Sequence, residues 1–285
     1  MNDRDQKLKK IQKVVNKMPS LSNTVSKVME VCSRQDVSPN DLNKVISLDP
    51  VLTGQVLKLI NSAYYSLVDR VTSLTRAIIM LGINTVKNLA LSTAIIRSVG
   101  QIKKSKALPI KHFWAHSIGV GVMSKLLAAE QGIELSEREE YFVAGLLHDL
   151  GKIPFGDEYT DVIKATRQSQ EALINAERKL MGIDHEDVGR LISEKWKLNQ
   201  AITDTICHHH TPQDAQPKNK NLVATVALAD FYVCLFDIGN AGNHYPDEEQ
   251  LPDLLEETGL QWETVAALSE AVKQEIIRAE IFLQV

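Results

Sequence analysis

Disulfide chemistry has almost nothing to work with in this chain. Its three cysteines, Cys32, Cys207 and Cys234, are odd in number and form no CxxC pair, the pattern of free thiols in a reducing compartment. A cytoplasmic location is the expectation. Sheet-forming signals are equally thin: nine prolines, fourteen glycines and few alternating β-branched runs in 285 residues argue against strands. Long apolar runs are missing too. Met1 to Lys17 is charged, without the continuous apolar core of a secretory signal. The most apolar later stretch, Leu222 to Phe236, is too short for a bilayer and carries Asp230 inside it, so no membrane partner is expected. Charge of one sign is also lacking. A net charge of −4 and an isoelectric point near 6.1 give no general attraction to nucleic acid, and no DNA partner is expected.

The composition that remains is 44% hydrophobic and 24% charged, that of a packed globular chain. Its apolar residues recur at three and four, the helical period. Leu8, Ile11, Val15 and Met18 line one face of a first helix. Its other face, with Arg4, Lys7, Lys9, Lys10, Lys13 and Lys17 against Asp3 and Asp5, reads as a solvated surface rather than a docking one. Ser20 or Ser22, Ser38-Pro39 and Asp49-Pro50 open further helices. Two more lie near 73–81 and 84–98, broken at Gly82, and a polar segment, Gly100 to Leu108, precedes Pro109. The spacing then predicts helices near 109–131, 136–149, 158–168, 170–181, 185–196, 199–210, 221–237 and 262–283, with loops at 211–220 and 239–253. The predicted fold is an all-α orthogonal helical bundle in two parts, residues 1–108 and 109–285.

Chemistry concentrates in the second part. In Ala144-Gly145-Leu146-Leu147-His148-Asp149-Leu150-Gly151-Lys152 a helix of small and apolar residues ends on an adjacent imidazole and carboxylate. Neighbouring residues diverge along a helix, but at its end both side chains can turn toward one point. His116, His185, His209 and His210 also fall in polar-turn or helix-end contexts. Imidazole with carboxylate suits a divalent ion, with iron, zinc, nickel or manganese all in range. Such a site with an open position is what metal-assisted hydrolysis requires, and an aspartate could bridge two ions.

The order His116, then His148-Asp149, then Asp230 in Val226-Ala227-Leu228-Ala229-Asp230-Phe231 resembles the H…HD…D signature of HD superfamily phosphohydrolases. His185 and the pair His209-His210 resemble the extra ligands of binuclear HD-GYP phosphodiesterases. The resemblance implies a metal-ligand set of His116, His148, Asp149, His185, His209, His210 and Asp230, with Lys152 as a phosphate contact. HD-GYP enzymes carry a glutamate after the paired histidines and then Gly-Tyr-Pro; this chain reads His210-Thr211-Pro212-Gln213-Asp214-Ala215, with neither. A histidine pair with proline following is similar to HDOD domains instead. So is Asp49-Pro50, a helix, then Asn61-Ser62-Ala63, continued from Ser73 to Gly82. The resemblance covers roughly residues 18–240.

It implies an HDOD-type signalling module with an N-terminal helical subdomain and an HD-like bundle. The module would bind one divalent metal or a pair and act through a protein partner or a nucleotide, its first half supplying a surface or lid. One rival is a working metal-dependent phosphohydrolase acting on a nucleotide; another is a scaffold with vestigial histidines. His112, His208 and His244 are left outside the ligand set, Cys207 and Cys234 read as small buried residues, and Asp49, Asn61 and Ser62 as caps and hydrogen-bonding residues.

Overall fold

The computed structural model describes residues 3–34, 36–102 and 105–284. Lys103 and Lys104 of the predicted junction segment lie outside the described residues. Six helices make up the first part: α1 (Asp3–Lys17), α2 (Asn23–Cys32), α3 (Pro39–Ile46), α4 (Pro50–Ile60), α5 (Leu74–Leu81) and α6 (Ile83–Gly100). The second begins with α7 (Ile110–Glu130), α8 (Arg138–Leu147), α9 (Tyr159–Ser169), α10 (Leu173–Met181) and α11 (His185–Trp196). It continues with α12 (Gln200–His208), α13 (Lys220–Leu235), α14 (Leu251–Thr258), α15 (Trp262–Ala267) and α16 (Ser269–Ala279). Among the described residues there is no strand, so the all-α reading holds.

Many helix starts are written in the sequence as caps. Ser22, Ser38, Asp49, Ser73, Asp184 and Asn199 each accept a backbone N–H of their helix's first turn, worth about 1 kcal/mol apiece. Asn61 does similar work in a loop: its amide donates to the carbonyls of Leu57 and Val71 and accepts the Val71 N–H. The differences from expectation have local causes. Helix α14 begins inside the predicted 239–253 loop because Pro252 opens a helix there instead of breaking one. The last predicted helix is split at Leu268, and a 3-10 stretch, Leu150–Glu158, follows α8.

Helices α7 and α13 are buried along most of their length and form the centre, with α8 and α16 against α7 and α14 against α13. Helix α6 lies against α2, α4 and α8, so one apolar cluster runs from Ile11 to Phe282. The α7–α8 crossing is close: a Cβ added to Gly145 would sit 2.8 Å from the Gly121 Cα, so only glycine permits this approach of two helix backbones. Helix α1 packs on α11. Its basic face is not merely solvated, since Arg4 reaches Asp187, Lys7 the Leu180 carbonyl and Lys10 the Glu158 carboxylate. From the other side Lys195 donates to the carbonyls of Val15, Asn16 and Met18, at 2.7–2.9 Å, closing the end of α1. Among the described residues no single helix is long and apolar enough to cross a membrane.

Candidate metal centre

Five elements deliver side chains to one point. Helix α7 carries His116 and α13 carries Asp230; α8 ends at His148, with Asp149 next; α11 starts at His185; α12 runs out into His209 and His210. All except the half-buried His210 are buried. The structure therefore brings together all seven residues of the expected ligand set. His116 Nε2 lies 3.0 Å from Asp230 Oδ1 and 3.5 Å from Asp149 Oδ2. His148 Nε2 lies 3.3 Å from Asp149 Oδ2 and 3.7 Å from Asp230 Oδ1. The other oxygen, Asp149 Oδ1, is 3.6 Å from His185 Nε2 and 3.7 Å from His209 Nε2. His210 Nε2 stands 3.1 Å from His185 Nε2, which is itself 3.2 Å from His209 Nε2.

The outward nitrogens fix what the inward ones can be. His148 Nδ1 meets the Gly145 carbonyl at 2.6 Å, His209 Nδ1 the Thr205 carbonyl at 3.0 Å, and His185 Nδ1 the Glu177 carboxylate at 2.7 Å. These oxygens only accept, so each Nδ1 carries a hydrogen, and each ring in its neutral form turns an Nε2 lone pair inward. In that form lone pairs face lone pairs and carboxylate oxygens. His116 Nε2, His148 Nε2, Asp149 Oδ1 and Asp230 Oδ1 are buried with no hydrogen-bond partner, a costly state unless a cation or proton is shared among them. Nitrogen and carboxylate donors at these distances fit a divalent transition ion. Three overlapping groups meet that description: His116 with His148 and Asp230, His148 with Asp149 and His209, and His185 with His209 and His210.

Electrostatics divides the cluster in two. Burial works against the His148 charge, but the Asp149 and Asp230 carboxylates outweigh it and hold the imidazole up at about 10. Both carboxyls stay well below their usual range despite burial, Asp149 held there by His148 and Lys152 and Asp230 by hydrogen bonds from His116 and His148. At the other end burial pushes His209 down to about 4 and His210 well below its ordinary value, whereas the Glu177 carboxylate outweighs burial and raises His185.

Sequence reading missed two acids that support the cluster. Glu177 accepts the Tyr159 hydroxyl, the His185 backbone N–H at 2.8 Å and the His185 ring, orienting that imidazole. Its signal was present: Glu177 interrupts the apolar stripe of α10 set by Leu173, Ile174 and Met181. Glu186 accepts the His210 N–H at 2.9 Å, and burial pushes its carboxyl up to about 7. Among the remaining histidines, His112 is exposed, His208 sits outside the converging groups, and His244 lies in a loop near Arg167 and Asn240. Cys207 and Cys234 are buried thiols, each pushed up to about 12 by burial. Lys152 is buried too, its Nζ 2.6 Å from Asp149 Oδ2.

Access is narrow. A cleft of about 30 Å³ reaches His209, His210 and Asp230 past Phe231, Pro246 and Gln250. Every residue lining it comes from the second half. Sharing His210, Asp247 and Gln250 with the cleft is a groove of about 970 Å³ that includes Arg178, Thr211 and Lys220.

Residues 18–212, more than half of the chain, match the HDOD domain. An uncharacterized protein of Treponema pallidum is 26% identical over 227 residues, covering 78% of this chain and only 43% of its own length. The chain thus spans less than half of that relative. Among solved structures, an HDOD domain protein of unknown function from Geobacter sulfurreducens superposes with a TM-score of 0.80 at 26% identity, over 99% of both chains. A protein from Shewanella amazonensis, provisionally named a phosphohydrolase, shares the fold at a TM-score of 0.70 and 22% identity, over 95% of this chain and 97% of its own. On the strength of the domain match, this chain belongs to the HDOD domain family.

Proposed function

We infer that this chain is a regulatory HDOD protein that binds divalent metal in its His/Asp cluster and acts through a protein partner or a nucleotide rather than through turnover. The observation that carries the metal reading is the set of four buried, unpartnered atoms on His116, His148, Asp149 and Asp230. Asp149 is the shared element, one oxygen facing His116 and His148 and the other His185 and His209. That division supports a two-metal site, with Asp230 serving one position and His210 the other. Iron, manganese, zinc and nickel all match the donors. A bound ion would supply Lewis acidity and lower the pKa of a coordinated water. The chain's own residues orient the imidazoles through Gly145, Thr205 and Glu177 and exclude solvent from them.

The regulatory reading is favoured by access. A cleft of 30 Å³ has room for a water or two, whereas small-molecule sites run to about 300 Å³ and more. The phosphohydrolase reading keeps one observation in its favour, the 970 Å³ groove that meets the cluster at His210. Elemental analysis of protein purified without a metal-affinity tag, paired with an anaerobic phosphodiesterase screen under iron and manganese, tests both. Near-stoichiometric metal with negligible turnover is expected. Metal below about a tenth of an equivalent after reconstitution would defeat the metal reading. Robust turnover that vanishes in His148→Ala would replace the regulatory reading with the enzymatic one.

A further inference from the structure

Lys152 is only 3% exposed, a depth at which lysine is rare unless paired. It enters through the 3-10 stretch Leu150–Glu158, whose first turn folds its side chain back onto the preceding acid. Its ammonium meets Asp149 Oδ2 at 2.6 Å, the same oxygen that faces His116 Nε2 at 3.5 Å and His148 Nε2 at 3.3 Å. The carboxylate at the middle of the cluster is therefore already held by a permanent cation. A phosphate contact, the role that sequence resemblance implies for this lysine, would need the ammonium to face solvent or substrate, and it faces Asp149.

Two consequences follow from charge alone. Without metal, Asp149 and Asp230 are two buried carboxylates that share His116 and His148 as neighbours, and an ammonium fixed on one of them joins His148 in offsetting their repulsion. With metal, the same ammonium stands close to a dication sharing its carboxylate, and like charges at that range in a protein interior repel by more than one tenfold step in affinity. Holding the carboxylate in place for the metal would act in the opposite direction, but hydrogen bonds to a ligand are neutral in their charge balance with the ion, whereas this donor is not.

We propose that Lys152 is a resident counter-cation of the shared carboxylate: it keeps the metal-free bundle folded and sets metal affinity low enough for occupancy to follow the free metal concentration. The first clause stands by itself; the second rests on the metal reading above. Full-length wild type, Lys152→Met and Lys152→Arg are compared, reading the melting temperature with and without metal and the dissociation constants for Mn²⁺ and Zn²⁺ by chelator competition. Lys152→Met should melt lower than wild type without metal, recover close to the wild-type value with Mn²⁺, and bind Mn²⁺ about tenfold more tightly or better. Lys152→Arg, which keeps the charge, should stay near wild type in both measurements. If Lys152→Met is insoluble when prepared without metal, refolding in Mn²⁺ must rescue it, and failure of that rescue assigns the lysine a packing role and overturns the proposal. An unchanged metal-free melting temperature overturns the first clause. Weaker metal binding by Lys152→Met overturns the second, because it makes the lysine a support for the metal ligand. Wild type that takes up neither ion removes the second clause together with the metal reading, while the metal-free melting comparison still decides the first.

Discussion

Helices α7 and α8 carry two polar clusters, one toward each end of their crossing, and the two are built on opposite plans. At one end Lys125 of α7 and Glu139 of α8 meet at 2.9 Å, with the Tyr64 hydroxyl 3.0 Å from the ammonium and the Tyr65 hydroxyl 2.8 Å from the carboxylate. The ammonium also lies 4.3 Å over the Tyr64 ring. Burial opposes the Lys125 charge, yet Glu139 overcomes it and the lysine is held above its usual pKa. Each of these groups has a partner, and the tyrosines come from the segment after α4, so the cluster fastens the first half to the second. At the other end His116 of α7 and His148 at the end of α8 leave their inner nitrogens unpartnered. A closed network is structure, because nothing can be added to it. An open one, buried deeper still, is a site, because it is costly until something is added.

The largest way to sharpen that contrast is to cut each cluster once. His148→Ala should bring metal content from near-stoichiometric to below about a tenth of an equivalent, with helical circular dichroism retained, since a ligand and little core volume is removed. Full retention of metal would place the site elsewhere. Glu139→Gln should do the reverse. It leaves Lys125 without its charge partner and should cost about 3 kcal/mol in denaturant unfolding, while metal content stays at the wild-type level. Loss of metal in Glu139→Gln would erase the distinction between the clusters.

Acid supplies the next test. In the metal-free protein His148 is held at about 10 against an ordinary 6.5, so its proton contributes stability fully present below pH 6.5 and lost as pH rises through about 10. Metal must displace that proton. Affinity should therefore rise about tenfold per pH unit between pH 7 and 9, measured by chelator competition in matched buffers. His209, at about 4, has no proton to release in that window, so a flat profile would mean that the His116–His148 end is not used. The smallest effect is expected from Glu177→Gln. The amide oxygen can still accept from His185, so metal affinity should fall about tenfold, the low end for such supporting groups. An unchanged affinity would show that His185 needs no carboxylate to hold its ring.

Much of the bundle is legible residue by residue because helix starts are local chemistry. Ser38 with Asp41, and Asp184 with Asp187, announce their helices within four residues. The histidines and aspartates were legible as a set because their order along the chain carries a family pattern, and the structure brings them together. What escaped was pairing across long sequence separations. Nothing near Tyr65 names Glu139, 74 positions away, and nothing near Lys152 says whether its ammonium turns outward or back onto Asp149. Helix α14 escaped for the opposite reason, since one proline serves as either a helix start or a loop marker and only packing against α13 decides between them.

The turn after Asp149 also sets a manufacturing tolerance. A Cβ built on Gly151 would lie 1.8 Å from the His185 carbonyl oxygen and 2.7 Å from the Gly189 nitrogen. Any side chain there would drive α11 away by more than an ångström, carrying His185 with it. Ligand distances tolerate only about 0.2 Å. The gauge that spaces one half of the cluster from the other is thus a missing methyl group, on a residue that donates nothing to a metal.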